Sequence, residues 1–305
     1  MRWVMKVGMD MCSLFRFNDE PEKYISIEEG FDMLSKAGFD SVDLGFFWEL
    51  EKFVREHDND SVEFEQHFIN IRKSAEARGL FINQTHAPLI AFDDAQSDDY
   101  FNVLVKCIHA TKLLGAKYIV IHPLQPPTCL YDNGVEYRKE INLKFFKRLQ
   151  PVLEQYDVVE CIENLFRIDP EINKYVPSSC SRPEEILYYI ENLNSDRFKV
   201  CLDIGHLLLT GDYTGDTPQG AIRKLGKYLR VLNVHDNFKE KDEHSPPYFG
   251  KADWKEIALA LKEVGYQGVF NLELTLYRYM TFNKIGLQEL LTFIRKISNV
   301  DNMVK

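Results

Sequence analysis

No apolar run in the sequence approaches the length of a membrane span, and the first residues, MRWVMKVGMDMC, lack the hydrophobic stretch of a secretory signal. The six cysteines, Cys12, Cys107, Cys129, Cys161, Cys180 and Cys201, form no CxxC pair and no recognisable disulfide framework, so they read as reduced thiols. Together these absences point to a cytoplasmic protein with no membrane partner. Positive charge is also scarce: 37 Lys and Arg stand against 47 Asp and Glu, a net charge of -10. That balance argues against nucleic acid held by a broad basic surface and leaves room only for a local basic groove. No G-x-G-x-x-G turn follows the first β-rich run, which removes the main sign of a doubly wound dinucleotide-binding sheet.

What is present is a repeat. Eight short β-rich runs occur at Val4 to Met9, Ser41 to Leu44, Phe81 to Thr85, Tyr118 to Ile121, Val158 to Ile162, Lys199 to Leu202, Arg230 to Val234 and Val269 to Leu272. Most are continuously apolar, as parallel strands covered on both faces must be. Their centres recur every 31 to 41 residues, the length of one βα unit. Between them lie amphipathic helical patterns with plausible ends, such as Ser26 before Ile27, Phe31 and Leu34 with Gly38 after them. Without a linker or composition break, residues 1–305 are expected to form one α/β domain, a single (βα)8 TIM barrel with a parallel eight-stranded core.

Chemistry in such a barrel sits at the C-terminal ends of the strands. There the sequence places His86 and His122 after the third and fourth runs, Glu163 after the fifth, Asp203 and His206 after the sixth, His235 after the seventh and Glu273 after the eighth. Any one of them reads as a helix cap or a satisfied polar group. Six successive strand ends crowding carboxylates and imidazoles around one axis need a shared partner to offset desolvation and like-charge repulsion. A divalent cation is that partner. The oxygen and imidazole donors suit Mn²⁺, Zn²⁺, Co²⁺ or Mg²⁺ and do not separate them.

This ordered set, with D-x-G-H at Asp203 to His206, HDN at His235 and D-x-H at Asp242 to His244, resembles the xylose isomerase-like barrel superfamily. That group includes sugar and sugar-phosphate isomerases and epimerases as well as endonuclease IV. The resemblance to its ketose 3-epimerases implies one metal held by Glu163, Asp203, His235 and Glu273, with Glu163 and Glu273 passing a proton through an enediolate and His206 touching substrate. The larger set of endonuclease IV, which holds three zinc ions for phosphodiester hydrolysis, is matched by adding His86, His122, His206, Asp242 and His244. Against that match, Glu163 is followed by NLFRID and His86-Ala87-Pro88 by Leu89. In favour of sugar chemistry, His244-Ser245-Pro246-Pro247, Gly250 and Asp253-Trp254 resemble the H-x-x-P...G...DW stretch of isomerase-like members.

The resemblance therefore implies a metal-dependent isomerase or epimerase acting on a sugar or sugar phosphate, in a barrel type that often self-associates into homo-oligomers. A multi-zinc phosphodiester hydrolase, a keto-polyol dehydratase and a non-catalytic sugar-binding barrel are the alternatives. Phe15, Phe46, Phe47 and Trp48 follow the first two strands and are candidates to stack on a sugar ring or exclude water, or else to pack against loops and helices. Arg167, Lys239, Lys241 and Arg278 are candidates for an anionic substrate group, with Trp48, Lys239 and Arg278 the chief pocket candidates.

Overall fold

The computed structural model describes residues 5–15, 25–276 and 286–297. Eight strands run parallel and close on themselves: β1 (Val7–Asp10), β2 (Ser41–Gly45), β3 (Phe81–His86), β4 (Tyr118–Ile121), β5 (Val159–Glu163), β8 (Phe198–Asp203), β9 (Leu229–Val234) and β10 (Phe270–Leu272). Val7 registers with Phe270 to complete the circle. Each expected run is a barrel strand. Five strands run one residue beyond the expected end, and in three of them that last strand residue is His86, Glu163 or Asp203, fixed in the ladder.

The numbering gap between β5 and β8 holds an antiparallel hairpin, β6 (Phe166–Asp169) and β7 (Lys174–Pro177), paired from Phe166 with Pro177 to Asp169 with Lys174. None of the eight expected runs falls in this segment, because strands of four residues are too short to show alternation. Its turn residues are nonetheless visible: Asp169 precedes Pro170, and Asn173 takes a φ of 52°.

The helices begin and end where the caps lie. Ser26 and Glu29 form a capping box on Ile27–Ala37, and Gly38 closes it at a φ of 93°, which only glycine adopts cheaply. Outside the barrel the strands pack against these helices in one large core. Inside it, Val120, Val159, Cys161, Cys201 and Val231 form a separate buried cluster. Side chains alternate along a strand, so Glu163 and Asp203 lie two residues beyond Cys161 and Cys201 on the same inward face. The apolar cluster is thus the floor on which the polar mouth is built. All six cysteines are buried and unbridged, and among the described residues no helix is long and apolar enough to cross a membrane.

Glu160 breaks the pattern. It is fully buried on β5, both carboxyl oxygens lack a hydrogen-bond partner, and burial pushes its carboxyl well above the usual range. Because the folded-state pKa exceeds the unfolded one, stability falls as pH rises from the ordinary carboxylate range toward the folded value. Glu160→Met should therefore stabilise the fold by about 1–3 kcal/mol in urea denaturation, with a larger gain at pH 7 than at pH 5.

Candidate metal centre

The turn from β8 into the helix Ile204–Thr214 joins two demands in one residue. Asp203 is the N-cap, its Oδ1 accepting the His206 backbone N–H at 2.6 Å, while Oδ2 has no hydrogen-bond partner. The same Oδ1 lies 3.0 Å from His235 Nε2. Capping and ligation are compatible because a carboxylate has two oxygens. Asn164 braces the turn: it donates to the Asp203 carbonyl and accepts from the Asp203 N–H. Gly205 is required between them, since a Cβ there would run into the His235 ring. His206 Nδ1 lies 3.0 Å from the Asn164 carbonyl, an arrangement in which Nδ1–H donates and Nε2 points toward Asp242 Oδ2, 4.0 Å away.

On the opposite wall His86 Nδ1 pairs with Asp43 at 2.9 Å, and Gln84 and Asn271 donate to the same carboxylate. Asn233 Nδ2 lies 3.1 Å from Glu163 Oε1 and 3.2 Å from His86 Nε2, tying the third and fifth strand ends together. His122 Nε2 approaches Glu163 Oε2 at 2.7 Å.

The remaining donors come from the loop after β9, and Asp236 shapes it. Asp236 is fully buried. Its Oδ1 accepts from the N–H groups of Asn237 (2.9 Å) and Ala252 (3.1 Å), and its Oδ2 from Tyr248 N–H (3.1 Å) and Trp254 Nε1–H (2.8 Å). A Cβ on Gly250 would collide with this carboxylate. The HDN...G...DW pattern is therefore a loop scaffold. What it presents is Asp242 and His244: His244 stacks on His235 with ring centroids 3.9 Å apart, and its Nε2 meets Asp242 Oδ2 at 3.1 Å.

Donor atoms within 4.8 Å of one another fall into three overlapping groups among the described residues: His86, Glu163 and Glu273; Glu163, Asp203 and His206; and His206, His235, Asp242 and His244. The four residues expected to hold one ion are spread over all three groups. Glu163 Oε2, Asp203 Oδ2, Asp242 Oδ1 and both His235 nitrogens are buried without a hydrogen-bond partner. Orphaned oxygens and imidazole nitrogens converging in this way fit a divalent cation.

The charges act on one another strongly. Burial would raise the Glu163 carboxyl, but His122, His206 and His86 outweigh it and hold it at about 2. Burial raises Glu273, and Asp203 and Glu163 add to this against His244 and His86. Burial disfavours the charged form of His86, yet Asp43 with Glu163 and Glu273 pushes it to about 10. Asp10, at the end of β1, is lifted to about 8 by burial and by Asp43 and Glu273.

Above the donors opens a cavity of about 590 Å³ lined by His86, His122, Glu163, His206, Asp242, His244 and Glu273. Asp203 and His235 lie beneath its surface, fully buried. Phe47, Trp48, Leu89, Leu165 and Phe166 supply apolar wall, with Phe166 edge-on to His206 at 4.8 Å. Trp48 is 45% exposed at the rim. Among the described residues no Lys or Arg lines the cavity. Lys239 Nζ is instead 2.6 Å from Asp212, and Arg167 Nη1 donates to the Gln125 carbonyl. Lys241 is exposed away from the lining. The Phe15 side chain and Arg278 lie outside the described residues, and Phe46 is buried in the core.

Sequence reading missed Asp10, Asp43 and Asn233. The signal was available in strand alternation, since Asn233 stands two residues before His235 and the first two strands end or nearly end in an acid.

Residues 31–297 match the family model of the xylose isomerase-like TIM barrel. A probable endonuclease 4 of Metamycoplasma arthritidis is 27% identical over 166 residues, 52% of this chain and 55% of that protein. A D-psicose 3-epimerase of Enterocloster bolteae is 23% identical over 215 residues, 68% of this chain and 66% of that protein. This chain spans about 55 to 60% of the length of several curated relatives it matches. A D-tagatose 3-epimerase-like protein of known structure superposes with a TM-score of 0.70 at 20% identity, over 99% of this chain and 100% of that one, a likeness of fold.

Proposed function

Because the chain belongs to the xylose isomerase-like TIM barrel family, we propose that it is a divalent-metal-dependent sugar isomerase or epimerase. The observation that carries this reading is the placement of Glu163 and Glu273 with His86 within 4.8 Å, in a cavity of about 590 Å³, a size suited to a monosaccharide. A cation bound by Glu163, Asp203, His235 and Glu273 would supply Lewis-acid polarisation of a carbonyl and its neighbouring hydroxyl. Glu163 and Glu273 take the carbon-bound proton from one face of the substrate and return it on the other. His206 is aimed at a substrate oxygen, its ring held by Asn164 and Phe166. Phe47, Trp48 and Phe166 exclude water from the enediolate.

A second reading, hydrolysis of a phosphodiester by three ions, is favoured by the three overlapping donor groups. Against it stand Asp10 and Glu51 in the cavity wall and the lack of a described Lys or Arg there to hold a phosphate backbone. Elemental analysis separates the two. The isomerase reading expects about one ion per chain, lost in Asp203→Ala, and turnover of a ketose or ketose phosphate in a panel with Mn²⁺. Three ions per chain with cleavage of abasic-site DNA supports the hydrolase.

A further inference from the structure

Asp10 is a carboxyl whose hydrogen-bonding capacity is half met. Barrel closure sets Met9 beside Leu272 and Asp10 beside Asp43, so Asp10 stands next to Glu273 at the mouth. It is 6% exposed and lines the cavity. One oxygen accepts the Cys12 N–H at 3.0 Å, and no described residue donates to the other. Asp43, its neighbour, is by contrast saturated by His86, Gln84 and Asn271. A buried carboxyl oxygen facing a cavity calls for a donor. The cation is not that partner, since Asp10 belongs to none of the donor groups within 4.8 Å.

We propose that Asp10 is a substrate-binding residue that accepts a hydroxyl of the sugar beside the reacting carbon, and that the substrate presents an uncharged polyol segment to the β1 side of the cavity. This rests on the isomerase reading. A phosphate at that position would add its charge to the Asp10, Asp43 and Glu273 carboxyls, with no described Lys or Arg in the wall and His86 already paired with Asp43. A hydroxyl donates to the open oxygen without charge conflict, and the flanking Ser13, another lining residue, has its Oγ engaged by the Leu274 N–H. Asp10 therefore sets which hydroxylated carbon lies next to Glu273, and so which proton is moved.

The test uses the full chain loaded with Mn²⁺, with D-fructose, D-psicose and D-tagatose and their monodeoxy analogues as probes. In the wild type, one deoxy position should lower kcat/KM by about 10- to 100-fold, the cost of leaving a buried carboxyl oxygen without its hydrogen bond. Asp10→Ala should lose the same factor on the parent ketose, mainly in KM, and show no further loss on that analogue. Asp10→Asn, which keeps an accepting oxygen, should recover part of the discrimination, and metal content should stay at the wild-type level in both variants. Unchanged discrimination in Asp10→Ala overturns the assignment alone, and so does a fall in metal content, which would make Asp10 a ligand. A wild type that neither binds nor turns over any of these ketoses overturns the isomerase reading and the assignment with it.

Discussion

Glu273→Gln should leave the fold intact and lower kcat by about 10²–10⁴-fold, the range for removal of a positioned proton-transfer group. The substitution keeps size and shape. It removes the carboxylate from a site where Glu273 faces the cavity and has Oε1 3.8 Å from His244 Nδ1. His244 is held by other contacts, to Asp242 and to the Glu273 backbone carbonyl, so the loop after β9 should stay in place. Circular dichroism should be unchanged, and metal content measured beside kcat separates a lost proton-transfer group from a lost ligand. A variant that retains most of its turnover on a wild-type substrate means that the two-glutamate mechanism is wrong.

Asp236→Ala should cost about 3–5 kcal/mol of stability and empty part of the metal centre. Asp236 touches neither cavity nor donor cluster, yet its two oxygens take four hydrogen bonds spanning residues 237 to 254. Removing the carboxylate leaves four donors unpaired, those of Asn237 and Trp254 fully buried and those of Tyr248 and Ala252 partly so, each unsatisfied buried group being worth about 1–3 kcal/mol before the loop relaxes. Relaxation spares some of that cost by letting the loop move. Asp242 and His244 then leave their positions beside His206 and His235. Asp236→Asn should rescue only partly, because its amide nitrogen would face N–H donors. Urea denaturation reads the stability and elemental analysis the metal; a loss under about 1 kcal/mol with full metal content contradicts the scaffold role.

These expectations bear on what can be read from sequence. The barrel was legible because buried parallel strands are apolar runs and the βα unit has a narrow length range. The donor residues were legible because strand ends converge in this architecture, so residues far apart in sequence point at one axis. Grouping was not legible: whether Glu163 keeps company with His86 or Asp203 depends on strand tilt and rotamers, and it does both. Asp236 acts by bracing a loop, a role that its place after His235 does not announce. Lys239 shows the converse, a cation well placed in sequence that the fold pairs with Asp212 on the surface.

In the proposed reaction two glutamates move a carbon-bound proton of a sugar. Incubation of the Mn²⁺-loaded protein with the ketose panel in D₂O, followed by NMR, tests it most directly. The account predicts deuterium at the carbon beside the carbonyl, dependent on added metal and abolished in Glu273→Gln. Ketoses that return without deuterium and without isomerisation, from protein shown to hold its metal, would contradict it.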